Sequence, residues 1–493
     1  MLFNSLEFLI FLPIVFIFFW AYPKEIKWIP LLIFSYFFYA YWNWKLVFLI
    51  LLTTVVTYVC GIMLGKYNDK NKVKKICLVV SLVVCFGILL FFKYFGFFYE
   101  IIKDIIAAFG NRPTGYFVIM LPVGISFYTF QTASYVIDVY RGTIKPEKHF
   151  GYYALFVSFF PQLVAGPIER PQDLLPQLRD ENKDIAKVDY SGAFRFMLIG
   201  YFKKIAVADM IGIIVNATYN DINGANGLMV LISTVLFAFQ IYGDFSGYSD
   251  IAVGCAKLFG INLTENFDSP YKSKSIREFW NRWHISLSHW LRDYIYFPLG
   301  GSRVKKWRWA INILIVFFIS GLWHGANYTF VVWGLLHAVF QIIGVLTQGV
   351  RDKVRGKLHI HRNSTSGGGI LSIVATFLLV CFAWIFFRAN NIVDAGTAIA
   401  KLFSDYKFSI DYISATWNKL RLTWYFVVYS VFAIVLMMNL EKLKSEQLLG
   451  DSKVYKHFWV RYALYLVMAF AVIISWIYLQ ASDIGSSFIY FQF

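Results

Sequence analysis

The chain has 493 residues, of which 58% are hydrophobic, 20% are aromatic and only 15% are charged. An ordinary soluble domain carries about 25% charged residues, so this composition excludes a soluble globular protein and indicates an integral membrane protein. The formal net charge of +17 is typical of Lys and Arg collected in cytoplasmic loops, so we expect no nucleic-acid partner.

Apolar runs recur along nearly the whole chain, and runs of about 20 residues are long enough to cross a membrane as helices. They predict spans at 5–22, 28–43, 46–65, 76–97, 116–137, 193–217, 227–256, 370–388, 424–441 and 459–480. Two further apolar segments, 151–168 and 309–346, bring the total to about ten to thirteen membrane segments, including re-entrant helices. The strands of a membrane barrel would be about ten residues of alternating character, so the run lengths predict an all-α polytopic membrane protein.

Basic loops set the expected orientation. The amino terminus has no basic stretch and no cleavage site, so it reads as a retained first span. The loop "KYNDKNKVKK" at 66–75 is expected in the cytoplasm, which places the amino terminus outside. The loops 302–308 and 351–362 are also basic, so the apolar segment between them should enter the membrane and return. Gly321, Gly325 and Asn327 offer a break near its middle, with one long kinked helix as the alternative.

Familiar cofactor motifs are missing from the sequence. The five cysteines lie in or beside apolar spans without a C-x-x-C spacing, so they predict packing roles rather than disulfides or zinc ligands. We find no nucleotide-binding loop, no H-E-x-x-H and no G-x-S-x-G, and we expect no metal.

The stretch "FQIYGDFSGYSDIAVG" places Asp244 and Asp250 in apolar surroundings. Buried carboxylates need hydrogen-bond donors. They indicate either the lining of a polar pocket or a hydrogen-bonded kink at Gly243 and Gly247, and we slightly favour the kink.

The segment 276–295 predicts an amphipathic helix in the membrane interface. Its aromatic stripe consists of Phe279, Trp283, Leu287, Trp290 and Tyr294. His284 borders this stripe and is the better candidate for a pocket, with a structural role as the alternative. His289 projects about 140° away and is expected at the surface.

The stretch "SGLWHGANYTF" places His324 in a segment, 310–350, without Asp, Glu, Lys or Arg. A titratable side chain at bilayer depth is by default a functional hypothesis, and the alternative is a histidine that only bonds a neighbouring helix. His337, thirteen positions later, is expected to be structural.

These two histidine-bearing stretches together resemble the membrane-bound O-acyltransferase superfamily, in particular its bacterial branch of alginate O-acetyltransferases and related polysaccharide acetylases. "RWHISLSHWLRDYIYFPLGGSR" is followed, about forty residues after His284, by "GLWHGANYTFVVWGLLHA". "LPVGISFYTFQTASYVIDVYRG", "FFPQLVAGPIERP", "YGDFSGYSDIAVG" and "CFAWIFFRA" also resemble the branch, so the similarity covers essentially the whole chain. Tyr328 stands where we expect Trp, and Ala338 where Gly is frequent.

The resemblance implies one O-acyltransferase domain over 1–493 with a central channel: peripheral spans at 1–110, a catalytic core at about 115–390 and carboxy-terminal spans at 420–482. It implies His324 as the catalytic histidine and His284 as the second one, with His324 acting as general base. The candidates for the channel or pocket are Asn281, Arg282, Asp244, Trp323 and Asn327, of which Asn327 could orient the ring or stabilise the oxyanion.

The resemblance also implies acetyl-CoA as the donor and a multi-pass protein of the bacterial cytoplasmic membrane, in contact with its lipids. The acetyl group would pass to a separate extracytoplasmic acetyltransferase, of the SGNH type known from alginate acetylation, and then to a cell-surface polysaccharide. Two alternatives are a transporter or flippase with an intramembrane histidine relay, and a structural subunit of a synthase complex.

Overall fold

The computed structural model describes residues 1–110, 121–357, 367–407, 409–444 and 457–482. These residues form helices and connecting loops without a β-strand, which confirms the all-α prediction. Among them, seven helices are long and apolar enough to cross a membrane, or eight if the bent pair Ile410–Lys419 and Trp424–Met437 is one span. The chain is therefore a multi-pass membrane protein. Shorter apolar helices such as Leu6–Ala21 account for other predicted segments, and the predicted span 116–137 begins outside the described residues.

The helices of the first half are α1 (Leu6–Ala21), α2 (Trp28–Ala40), α3 (Val47–Lys66), α4 (Asn71–Leu89), α5 (Phe95–Ala108), α6 (Ile125–Arg141), α7 (Phe150–Ser158), α8 (Phe160–Leu163), α9 (Pro171–Arg179), α10 (Tyr190–Tyr201), α11 (Met210–Tyr219) and α12 (Gly227–Leu258). The later helices are α13 (Ile276–Arg282), α14 (Ile285–Leu291), α15 (Lys306–His324), α16 (Tyr328–Leu346), α17 (Gln348–Lys357), α18 (Gly367–Arg388), α19 (Ile392–Ser404), α20 (Ile410–Lys419), α21 (Trp424–Met437), α22 (Glu441–Lys444) and α23 (Phe458–Ala481). π-Helical turns occur at Leu90–Tyr94, Phe202–Asp209 and Arg292–Tyr296.

The chain divides into two compact units, the first of which comprises Met1–Met197 and Tyr248–Thr264. Aromatic side chains form much of its core. The Phe160 ring lies 5.4 Å from Phe11 in an edge-on contact and 5.6 Å from Phe38. Such edge-on pairs are favourable because the positive edge of one ring meets the negative face of the other. These contacts connect α1, α2 and α8.

Two positions in the first unit, Gly124 and Glu169, are constrained by their closely packed surroundings. Gly124, before α6, has φ +74°, and a Cβ there would collide with the carbonyl oxygen of Leu163. Glu169 is 2% exposed and accepts a hydrogen bond of 2.6 Å from the backbone N–H of Thr264. Burial raises the pKa of the Glu169 carboxyl to about 7, although the bonds from Thr264 oppose this shift.

The second unit comprises Leu198–Gly247 and Glu265–Phe493 and contains the helical pair α15–α16. The pair shows that segment 309–346 forms two packed helices with a break at Gly325–Asn327, as predicted, and not one kinked helix. A Cβ on Gly321 would collide with the carbonyl oxygen of Phe330, and a Cβ on Gly334 would lie 3.2 Å from the Cα of Gly321. Glycine at both positions therefore lets the two backbones approach closely.

A buried group of charges in the second unit, the Glu441 cluster, consists of Lys203, Tyr242, Glu441 and Lys444. The Glu441 carboxylate receives hydrogen bonds from Lys203 at 2.8 Å and from the Tyr242 hydroxyl at 2.7 Å. Lys444 lies 2.8 Å from the other carboxylate oxygen. The side chain of Lys203 is 0% exposed, so its charge depends on these oxygens for compensation.

Lys204 forms a second buried ion pair, 2.8 Å from Asp209 and 2.6 Å from Asp244. Lys204 and Asp209 belong to the π-helical turn Phe202–Asp209, which lies between α10 and α11. The predicted span 193–217 is thus not one uniform apolar helix. α12 is uninterrupted at Gly243 and Gly247, so the kink expected there stays a prediction. Gly247 instead permits close packing, since a Cβ there would lie 2.7 Å from the carbonyl oxygen of Gly200.

Candidate active site

The predicted helix 276–295 is broken at Trp283 and His284, so the expectation of one continuous interface helix is wrong. α13 ends at Arg282 and α14 begins at Ile285. His284 has φ +45° and ψ 55°, a left-handed conformation that costs roughly 1–3 kcal/mol for a residue with a Cβ. Such strain persists only where the surrounding structure holds the backbone in place.

Asn266 provides much of that support. Its carbonyl oxygen accepts a hydrogen bond from the N–H of Ile285 at 3.0 Å. Its side-chain Oδ1 accepts from the N–H of Ser286 at 3.2 Å and from the Ser286 hydroxyl at 2.7 Å. Two residues after Asn266, the N–H of Asp268 donates a hydrogen bond of 3.0 Å to the carbonyl oxygen of Arg282. The segment 266–268 thereby satisfies the polar backbone groups that the break exposes.

The aromatic stripe faces the protein interior and not the lipid headgroups. Its members are buried, with exposures between 0% and 9%: Phe279, Trp283, Leu287, Trp290 and Tyr294. The Trp283 ring lies 5.2 Å from Trp384 of α18 and 5.0 Å from Phe267. The periodicity therefore grouped these side chains on one face, but that face lies in the core of the second unit and not in the membrane interface.

The structure brings His284 and His324 together. Their ring centroids are 6.5 Å apart, and the two residues are 0% and 3% exposed. Trp323, also a predicted pocket residue, contacts both rings, at 5.6 Å from His284 and 4.9 Å from His324. Phe245 of α12 lies edge-on to His284 at 4.6 Å. The site is thus assembled from α12, the α13–α14 break and the end of α15.

Aromatic rings cover the other sides of His324. Trp333 of α16 lies 4.9 Å away, nearly perpendicular to the imidazole, and Phe387 of α18 lies 5.4 Å away. Trp333 is 0% exposed and stacks on Trp384 at 5.7 Å. A shell of this kind leaves little room for bulk water around the imidazole.

Trp333 is a site residue that our sequence reasoning missed, and it connects His324 to His337. The His337 ring lies 5.1 Å from Trp333, and its Nδ1 accepts a hydrogen bond of 3.2 Å from the indole N–H of Trp280. Because Nδ1 accepts, the neutral ring carries its proton on Nε2. Trp333 and His337 are one helical turn apart on α16, a spacing that could have identified Trp333 from the sequence. The role of His337 as a structural residue remains a prediction.

The remaining candidates have other positions or partners. The Asn327 side chain caps α16 by accepting from the N–H of Thr329 at 3.1 Å, and it donates to the carbonyl oxygen of Asn390 at 2.9 Å, so neither hydrogen bond reaches His324. Arg282 pairs with Asp268 and Glu278, at 3.3 and 3.1 Å. Asn281 and His289 are both exposed, and the surface position expected for His289 is confirmed. Asp244 pairs with Lys204, one residue before the Phe245 that contacts His284.

The chemistry that this site can perform is proton transfer between neutral partners. Burial lowers the pKa of the His284 imidazole to about 3, so His284 is neutral at pH 7. A neutral imidazole offers one nitrogen that accepts a proton and one N–H that donates a hydrogen bond. Within the described part of the chain, no three His, Cys, Asp or Glu side chains are grouped so that they could hold a metal ion.

Comparison with known proteins matches this chain to one family model and to relatives that are named for acyl transfer. Residues 147–360 match the model of the membrane-bound O-acyltransferase family, MBOAT. A probable alginate O-acetylase AlgI of Pseudomonas aeruginosa is 37% identical over 82% of this chain and 75% of its own length. A peptidoglycan O-acetyltransferase of Helicobacter pylori is 34% identical over 80% of this chain and 78% of its own. A teichoic acid D-alanyltransferase of Bacillus subtilis is 32% identical over 54% of this chain and 69% of its own.

Proposed function

Because the chain belongs to the membrane-bound O-acyltransferase family and is a membrane acyltransferase, we propose that it moves acetyl groups from cytoplasmic acetyl-CoA across the membrane for O-acetylation of a cell-surface polysaccharide. The relatives named for O-acetyl transfer to alginate and peptidoglycan align over 82% and 80% of this chain. The relative named for D-alanyl transfer aligns over 54%, so acetyl is the better supported group.

The observation that carries the proposal is the buried pair of imidazoles, His284 and His324, whose ring centroids lie 6.5 Å apart. Acyl transfer to a hydroxyl requires a group that removes the hydroxyl proton during attack on the thioester carbonyl. Histidine is the most frequent general base for this task. Two imidazoles in one aromatic shell supply a base and a hydrogen-bond donor.

In the proposed reaction, His324 accepts the proton of the acceptor hydroxyl while the hydroxyl oxygen forms a bond to the acetyl carbonyl carbon. The neutral His284 donates an N–H hydrogen bond to the carbonyl oxygen as that oxygen gains negative charge. The carbon–sulfur bond then breaks, and the proton on His324 passes to the sulfur, so that CoA leaves as a thiol. The products are an acetyl ester and CoA, and both histidines return to their starting state.

The aromatic shell contributes by excluding water. Trp323, Trp333 and Phe387 surround His324 at 4.9–5.4 Å between ring centroids. A water molecule beside the activated histidine would hydrolyse the thioester, and a dry site suppresses this side reaction. We assign these rings to positioning and solvent exclusion.

The acceptor in this scheme is a separate extracytoplasmic acetyltransferase that passes the acetyl group to the polymer. The orientation that we propose places the amino terminus outside a bacterial cytoplasmic membrane and the basic loops 66–75 and 302–308 in the cytoplasm. Labelling of single cysteines introduced into these loops in intact cells and in inverted vesicles tests the orientation. Labelling of either loop from outside would contradict it.

A transporter was the alternative explanation for an intramembrane histidine. The relatives are named as acyl-transferring enzymes and do not support it.

The decisive experiment compares His324→Ala, His284→Ala and the control His289→Ala in cells that lack the natural gene. Polymer-bound acetate is measured by ester hydrolysis, and release of free CoA thiol from acetyl-CoA is measured with the purified protein and its partner. Removing a general base lowers the rate by about 10²–10⁴-fold, so we expect His324→Ala to lose both activities while its amount in the membrane is unchanged. His289→Ala, at an exposed position outside α14's buried face, should keep both.

The outcomes separate the parts of the proposal. A His324→Ala variant that acetylates the polymer at the normal rate would refute the catalytic assignment. Loss of both CoA release and polymer acetate without the extracytoplasmic acetyltransferase, with both restored when it is supplied, would support the relay through a partner. Release of D-alanine instead of acetate from the polymer would replace the proposed donor.

A further inference from the structure

A cavity of about 630 Å³ lies in the second unit, away from the ring contacts of the two histidines. Its walls come from the last turns of α16, the first half of α18, the helix α17 and the start of α13. Sites for small molecules in proteins have volumes of roughly 300–1,000 Å³, so this cavity is large enough for most of a ligand. Nothing in the proposed acyl transfer uses it.

The cavity has a basic part. Lys274 and Arg277 at the start of α13 and Arg351 of α17 line it, together with one acidic side chain, Asp352. The lining therefore carries an excess of positive charge. Arginine and lysine side chains bind phosphate oxygens through charge-assisted hydrogen bonds.

The rest of the cavity is apolar and lies between two membrane-spanning helices. Phe340 and Val345 come from α16, and Leu371 and Leu379 come from α18. Both helices are long and apolar enough to cross a membrane. The cavity reaches the end of α16 and the beginning of α18, which is where such helices meet the headgroup region. A ligand that fits has an anionic head and an apolar tail.

We propose that this cavity binds an anionic phospholipid, with the phosphate against Lys274, Arg277 and Arg351 and an acyl chain between α16 and α18. Basic pockets between transmembrane helices are sites where anionic lipid headgroups bind. A nucleotide-bearing ligand such as CoA fits less well, because adenine is held by stacking and Phe340 is the only aromatic ring among the described lining residues.

The site adjoins the helix that leads to His284. Ile276 lines the cavity, and one turn further along α13 the Trp280 indole bonds His337 and lies 5.7 Å from Trp333. A lipid in the cavity therefore supports the start of α13 from the membrane side.

The test uses the full-length purified protein, stripped of lipid in detergent and titrated with phosphatidylglycerol or phosphatidylcholine under native mass spectrometry. The wild-type protein should bind one phosphatidylglycerol, and it should bind phosphatidylcholine at least tenfold more weakly. Arg277→Gln should weaken phosphatidylglycerol binding about fivefold, as expected for one cation near a headgroup. Arg308→Gln, at an exposed arginine of the first turn of α15 that does not line the cavity, is the matched control and should bind normally.

A second pair of variants fills the apolar part without disturbing the fold. A Cβ on Gly344, which lines the cavity, would meet nothing within 4 Å, so Gly344→Leu can place its side chain in the open space. It should abolish binding of phosphatidylglycerol. Gly349→Leu is the control, because its Cβ is equally unobstructed and Gly349 does not line the cavity.

Equal affinity for the two lipids would overturn the proposal, as would unchanged binding in Gly344→Leu. Displacement of the lipid by acetyl-CoA, one for one, would also overturn it and identify the cavity as a donor site. Failure of acyl transfer in His324→Ala has no bearing on these measurements, so the two proposals can fail separately.

Discussion

Replacing Glu441 by Gln tests whether the Glu441 cluster stabilises the second unit. The Glu441 carboxylate lies 2.8 Å from both Lys203 and Lys444 and accepts a 2.7 Å hydrogen bond from Tyr242. Glutamine keeps an oxygen that can accept a hydrogen bond but removes the negative charge. The ammonium of Lys203, whose side chain is 0% exposed, then loses this compensating charge in a medium of low dielectric constant.

Breaking a buried ion pair by removing one partner costs about 3–5 kcal/mol. Because Gln retains hydrogen bonding, we expect Glu441→Gln to lower the free energy of unfolding by about 3 kcal/mol, near the lower end of this range. The control is Glu265→Gln, whose side chain is 50% exposed and 3.9 Å from Lys444. An exposed ion pair contributes about 0–1 kcal/mol, so this variant should remain close to the wild-type protein.

The assay is unfolding of the purified full-length protein in mixed micelles, followed by tryptophan fluorescence and by retention on size exclusion. The double variant Lys203→Met, Glu441→Leu removes Glu441 together with one of its two cationic partners and leaves Lys444 with Glu265 at 3.9 Å, so it should recover part of the loss of Glu441→Leu alone. A change below about 0.5 kcal/mol in Glu441→Gln would refute the reasoning, as would a double variant no more stable than Glu441→Leu, since a buried charge would then not be the cause.

Other expected outcomes concern separate positions. Gly124→Ala should lower the free energy of unfolding by at least about 1–2 kcal/mol, because its φ is +74° and Leu163 leaves no room for a Cβ, as thermal unfolding will show. Folding raises the pKa of Glu169 from 4.5 to about 7, so between these pH values the folded state holds a proton that the unfolded state has lost. The free energy of unfolding should therefore fall by up to about 3 kcal/mol as pH rises from 4.5 to 7. Glu169→Gln should reduce this pH dependence when unfolding is measured at several pH values. In the proposed acetyl transfer, Asn266→Ala should reduce kcat for CoA release about tenfold with KM for acetyl-CoA unchanged, since His284 loses its support; an unaltered kcat would contradict this.

Local signals in the sequence predicted the helical architecture well. Long apolar runs identified helices such as α3, α12 and α18, and the glycines at 321 and 325 together with Asn327 placed the break between α15 and α16. Both signals are local, because the length of an apolar run and the conformation at a turn depend mainly on neighbouring residues.

The site was predictable in part, and the remainder depends on contacts between residues distant in the chain. The structure brings the two histidines singled out from the sequence, His284 and His324, together, whereas the aromatic stripe is buried in the core and not placed in the membrane interface as predicted. The break at His284 does not follow from the helical period, because it is stabilised by Asn266, which precedes it by eighteen positions. Likewise, the partner of Asp244 is Lys204, forty positions away, and nothing near Asp244 in the sequence indicates it.

The close packing at Gly321 and Gly334 has a consequence for genetics. A screen for alleles that lose acyl transfer should recover substitutions of both glycines as often as those of His324, although neither glycine carries a reactive group. Gly321 lies three positions before His324. Any larger residue there meets the backbone of Phe330 and shifts the end of α15. Second-site suppressors of Gly321 alleles should therefore occur on α16, and those of Gly334 alleles on α15, and both should restore activity without altering any residue that touches the transferred acyl group.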